Sequence, residues 1–184
     1  FDLTQGTYET IWEQGEDLCN AHPQLEPGRG EDILVQHNRG AILDDNGRTL
    51  LLVGEMGGTL FLVGRDGSNH RTLPIGKPYT HRIQGHETWI GHTGEILFTV
   101  GGPREELIEQ GNLLALRPGD AAPRVVAKGA YFDHPNASRD GRFFAVDTSP
   151  EARIIVGSIR TGRWRVLCES GSSLSVPQYT HPHP

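Results

Sequence analysis

A histidine recurs along this chain at one position of a repeating pattern. Each copy runs histidine, short strand, glycine turn, apolar strand, middle strand, hairpin, outer strand. The copies begin at His22, His86, His134 and His181, at intervals of 64, 48 and 47 residues. Periods near this length, with about four strands each, are the mark of a β-propeller. The longer first interval predicts an insertion around Arg39 to Gly47. A β-sandwich is the alternative for a chain of short strands, but its strands would not carry a repeated histidine at one structural position.

The segments that fill the copies alternate or run apolar in short stretches bounded by glycine turns. Thr7 to Glu13 is expected as a strand ahead of the first copy. Ile33 to Val35, Arg48 to Val53, Thr59 to Val63 and His70 to Leu73 are expected within it, the last two joined by the Asp66-Gly67 turn. The second copy supplies Glu95 to Val100, Asn112 to Leu116 and Arg124 to Ala127, and the third Arg142 to Asp147, Ile154 to Ile159 and Arg163 to Cys168. Only Pro103 to Gln110 has a helical pattern, and it is expected to decorate a loop. With 24 glycines and 12 prolines, tight turns are abundant, and the class is all-β. Residues 1–184 form a single domain of about four blades, the fourth only begun. The chain opens at Phe1 rather than methionine, and a partial sequence is expected.

The formal charge of −6 argues against a general affinity for nucleic acid or anionic lipid. No apolar run approaches the roughly 20 residues that span a bilayer, and no signal peptide is visible. A cytoplasmic location is expected, with Cys19 and Cys168 as two free thiols outside any zinc-type spacing. Oligomeric state leaves no mark in the sequence.

The repeat carries chemical consequences. In a propeller the first strand of each blade lines the central channel, so a histidine at its head in successive blades brings His22, His86, His134 and His181 to one channel mouth. For any one alone, capping a strand through hydrogen bonds to backbone is the favoured reading; four at one repeat position weigh against it. The final stretch, Gln178-Tyr179-Thr180-His181-Pro182-His183-Pro184, adds a constraint. A residue before proline is pushed into extended geometry, and residues two apart in an extended segment face one side. His181 and His183 can therefore form a metal half-site with the amide oxygen of Gln178, or the stretch is a polar, proline-rich tail. Imidazole and amide oxygen together suit a divalent metal ion.

Three stretches together, Gly85-His86-Glu87-Thr88-Trp89, His134-Pro135-Asn136-Ala137-Ser138-Arg139-Asp140-Gly141 and Gln178-x-x-His181-x-His183-Pro184, resemble the oligogalacturonate lyases. That family consists of seven-bladed β-propellers that degrade pectin fragments, of which 184 residues would hold about four blades. The resemblance implies a manganese ion on His134, Gln178, His181 and His183, with His86 as the catalytic base. Arg82 is the nearest candidate for the family's arginine beside the scissile bond. The implied reaction is β-elimination on an acidic oligosaccharide. The rivals are a non-catalytic propeller that binds other molecules on its open face, and a metal-dependent propeller enzyme acting on another uronate. Trp89 and Tyr179 flank the site in sequence as blade packing or sugar-stacking aromatics. Asn136-Ala137-Ser138 fits a glycosylation sequon on an inner strand, where a glycan would not fit. His37, His70, His81 and His92 fall outside the repeated position.

Overall fold

The computed structural model describes residues 4–13 and 21–172, together with Pro182 and Pro184. Cys19, Gln178, Tyr179, His181 and His183, and with them the expected start of a fourth copy, lie outside the described residues.

Among the described residues three larger antiparallel sheets follow one another along the chain, beside one two-stranded hairpin. Sheet A holds β1 (Gln24–Leu25), β2 (Asp32–Asn38), β5 (Gly58–Gly64) and β6 (Arg71–Thr72), in that order, with the small hairpin of β3 (Ile42–Leu43) and β4 (Thr49–Leu51) inserted between β2 and β5. Sheet B holds β7 (Arg82–Ile83), β8 (Thr88–Trp89), β9 (Ile96–Gly101), β10 (Leu113–Leu116) and β11 (Arg124–Ala127). Both β7 and β8 pair with the same β9, Arg82 opposite Gly101 and Trp89 opposite Ile96, so they are one edge strand interrupted between residues 83 and 88. Sheet C holds β12 (Phe132–Ala137), β13 (Phe143–Thr148), β14 (Arg153–Ser158) and β15 (Trp164–Glu169) in simple order.

The apolar pattern explains the stacking. Every residue of β5 and of β9 is buried, and a strand covered on both faces needs a continuous apolar run rather than alternation. Because successive side chains point to opposite faces, Leu34, Leu60 and Leu62 of sheet A meet Ile83, Trp89, Ile96, Phe98, Leu114 and Leu116 of sheet B. The alternate residues Leu97, Leu113 and Ala115 of sheet B pack on Phe132, Phe144 and Val146 of sheet C. A polar staple crosses this second interface. The buried Asn112 donates through Nδ2 to the Phe132 carbonyl at 2.7 Å and the Val100 carbonyl at 3.2 Å, and accepts from the Phe132 N–H at 3.0 Å. The outer face of sheet A, with Val35, Phe61 and Val63, meets Trp12, which also stacks on His70 at 4.6 Å.

Four expectations need correction. Thr7 to Glu13 forms no strand beyond a single bridge at Thr7; it lies across sheet A, where Trp12 packs. Arg48 to Val53 is not a blade strand, because its Thr49–Leu51 portion pairs with Ile42–Leu43. The insertion therefore runs past Gly47 to the neck at Gly54. The helix α1 (Arg104–Gln110) is more than decoration, since Leu107 is buried in the core between sheets A and B. Among the described residues no helix is long and apolar enough to cross a membrane.

Candidate metal centre

The interrupted edge strand of sheet B and the first strand of sheet C build the site. Asp133 and His134 lie on β12, and His86 lies in the break between β7 and β8. The His86 and His134 rings meet edge to face with centroids 3.8 Å apart, and His22 follows at 6.4 Å from His86. Three of the four repeated histidines thus converge at the heads of neighbouring sheets. All three line one pocket of ≈ 770 Å³, together with Gln24, Leu52, Gln84, Glu87 and Asn136.

His134 is the most constrained of them, at 5 % exposure. Asp147, on the adjacent β13 and itself 1 % exposed, accepts the His134 backbone N–H at 2.7 Å. Both Asp147 oxygens lie 3.0 Å from His134 Nδ1. With Nδ1 carrying its proton toward Asp147, the lone pair of the neutral ring resides on Nε2, the arrangement common in metal-binding histidines. Asp133 Oδ2 stands 3.8 Å from the same Nδ1, and Asp133 Oδ1 accepts from Gln84 Nε2 at 2.7 Å. The Thr99 hydroxyl donates to the Asp133 carbonyl at 2.7 Å and ties β12 to sheet B.

His86, Asp133 and His134 can each offer one ligand atom, all within 4.8 Å of one another, which makes them a candidate metal group among the described residues. Imidazole and carboxylate donors fit a borderline or moderately hard divalent ion such as manganese or zinc. Sequence reasoning missed Asp133 and Asp147. The first stood beside His134 in the sequence, and the second was visible as an acidic residue closing the apolar run Phe143 to Val146.

Next to His86, the Glu87 carboxyl is 4 % exposed, and burial pushes its pKa up from 4.5 to about 7. Its backbone carbonyl accepts from Gln24 Nε2 at 2.5 Å, while the Trp89 indole donates to the Gln24 carbonyl at 3.2 Å. Trp89 is accordingly a packing residue in the core between sheets A and B.

Arg82 is exposed on β7 and lines a different pocket, with Tyr79 and His81, rather than the one containing His86. His81 Nε2 lies 3.7 Å from Glu106 in that region, His92 Nδ1 is 2.9 Å from the Pro27 carbonyl, and His70 belongs to the Trp12 stack. A more apolar pocket of ≈ 840 Å³ lies on sheet C, lined by Phe143, Val156 and Trp164 among others. It is a sheet face equivalent to those buried between A and B and between B and C, and it lacks the histidine cluster.

No protein-family model matches the chain, and no curated protein matches it. Among solved structures it is similar to an oligogalacturonate lyase in complex with manganese, at 15 % identity and a TM-score of 0.61. The match covers 85 % of this chain and 38 % of that one. At this identity the likeness is one of fold, an all-β arrangement of antiparallel sheets like those of a β-propeller.

Proposed function

We propose that the chain is the site-bearing part of a metal-dependent lyase that cleaves oligogalacturonate by β-elimination, built as about four blades of a seven-bladed ring. The observation that carries this reading is the convergence of His22, His86 and His134 with Asp133 and Asp147 at the heads of adjacent sheets. A surface that only docks another macromolecule has no use for a buried histidine held by a buried aspartate beside two further imidazoles.

In this reading His134 Nε2 is one ligand, oriented by Asp147, and Gln178, His181 and His183 complete the set. A divalent ion held there, most simply manganese, would supply Lewis-acid stabilisation of negative charge on the uronate carboxylate. His86 takes the C5 proton as a neutral imidazole, whose ordinary pKa near neutrality suits a general base. The C5–H electron pair becomes the C4–C5 double bond, the C4–O4 bond breaks, the departing oxygen takes a proton from solvent water, and the His86 imidazolium returns its proton to solvent. Asp133, anchored by Gln84, adds negative charge beside His134 and favours cation binding. The proposed partner is an acidic oligosaccharide, met in the cytoplasm.

A second assignment is favoured by one distance. His86 touches His134, and its nitrogen falls within the 4.8 Å group, so His86 can be a ligand rather than the base. Elemental analysis and digalacturonate turnover of wild type and His86→Ala separate the two. If His86 is the base, the variant retains its manganese and forms no unsaturated product. If His86 is a ligand, the variant loses the metal. Unchanged product formation by the variant removes His86 from both roles.

A further inference from the structure

The extra residues of the first repeat are placed at the histidine pocket. Strands β2 and β5 pair in unbroken register from Asp32 opposite Gly64 to Asn38 opposite Gly58, so the β3–β4 hairpin between them is not needed to complete sheet A. Its neck is closed by backbone. Gly54 N–H donates to the Arg39 carbonyl at 2.8 Å, and a Cβ at Gly54 would lie 3.0 Å from the carbonyl oxygens of both Arg39 and Gly40. The Arg39 guanidinium then clamps the return, donating to the Gly57 carbonyl at 2.9 Å and the Met56 carbonyl at 2.5 Å. A neck held this way fixes where the hairpin emerges.

Beyond the neck the side chains are unlike those of an ordinary surface hairpin. Ile42, Leu43, Leu50, Leu51 and Leu52 are between 40 % and 64 % exposed. Of these, Leu52 lines the pocket shared by His22, His86 and His134, where the other lining side chains are polar or proline, apart from Gly85. Small-molecule pockets combine a few placed polar groups with apolar wall, and a pyranose ring matches that division, with hydroxyls and carboxylate at its rim and a C–H face.

We infer that Leu52, presented by the braced hairpin, is a specificity-determining wall of this pocket that packs on the C–H face of a bound sugar ring. The inference rests on the lyase reading. It is tested by steady-state kinetics on digalacturonate with manganese for wild type, Leu52→Asn, Leu52→Met and Leu50→Asn, with thermal melts of each. Leu52→Asn raises KM about fivefold, equivalent to about 1 kcal/mol, with kcat changed by less than about twofold. Leu52→Met restores the wild-type KM because it keeps apolar contact. Leu50→Asn, on the same hairpin but outside the pocket lining, leaves KM unchanged. Replacing residues 42–52 by two glycines reproduces the KM increase. A wild-type KM in Leu52→Asn overturns the wall while leaving the lyase reading intact, as does an equal rise in Leu50→Asn. Absence of turnover in the wild type overturns the lyase reading and the wall with it.

Discussion

Replacing Asp147 by asparagine probes the metal centre without changing its shape. The buried Asp147 carboxylate meets His134 three times, at 2.7 Å to the backbone N–H and twice at 3.0 Å to Nδ1. Asparagine keeps one oxygen for the backbone N–H but turns an NH₂ toward the ring, which then favours accepting at Nδ1 and carrying its proton on Nε2. A protonated Nε2 cannot ligate a cation. Loss of such an outer partner costs about 10- to 100-fold in metal affinity, equivalent to about 1.4 to 2.7 kcal/mol. The metal-free protein should lose only about 1 kcal/mol, the difference between a charge-assisted and a neutral hydrogen bond. Manganese titration followed by electron paramagnetic resonance measures the first number, and urea unfolding of the metal-free protein measures the second. Equal manganese affinity in wild type and Asp147→Asn would refute the assignment of His134 as a ligand oriented by Asp147.

Three further outcomes are expected. Asn112→Leu should lower stability by about 3 kcal/mol or more, measured by urea unfolding, because it leaves the buried N–H and carbonyl of Phe132 without their Asn112 partner between sheets B and C. Gly91→Ala should lower the melting temperature clearly, since Gly91 has φ +48 and an added Cβ would strike the backbone of Arg139 and Gly141. Glu87 sets a pH dependence of unusual sign for a carboxylate. Its folded pKa is raised above the unfolded value, so between pH 4.5 and about 7 the folded state binds more protons and stability falls as pH rises. The loss is on the order of 3 kcal/mol across that window and levels off above it. Glu87→Gln should flatten this part of the profile in unfolding curves taken at pH 5 and pH 8.

The strand pattern was legible because sheets stacked face to face impose it. Central strands buried on both faces require runs such as Thr59 to Val63 and Glu95 to Val100, and the turns between strands require Asp66-Gly67 and Asp140-Gly141. The convergence of His22, His86 and His134 followed from that register. What failed were segments whose partner lay far away or within the insertion. Leu50 to Val53 has the composition of a buried strand, yet Leu50 to Leu52 are half exposed on or beside a hairpin, because β2 and β5 already pair with each other. The segment Thr7 to Glu13 alternates like a strand but takes its place through Trp12 stacking on His70. Asp133 and Asp147 were missed because an aspartate's role depends on the neighbouring strand it faces, which no local pattern records. Arg82 stands near His86 in the sequence, and the two line different pockets.

The chemistry itself is decided by the mass of the products. Incubated with manganese and digalacturonate, a β-eliminating enzyme yields two products whose masses sum to that of the substrate, one of them an unsaturated uronate absorbing in the ultraviolet. Mass spectrometry should find this pair with the wild-type protein. Products that together are heavier than the substrate by one water, or an intact substrate with metal bound, would contradict the assignment of this histidine cluster to a lyase.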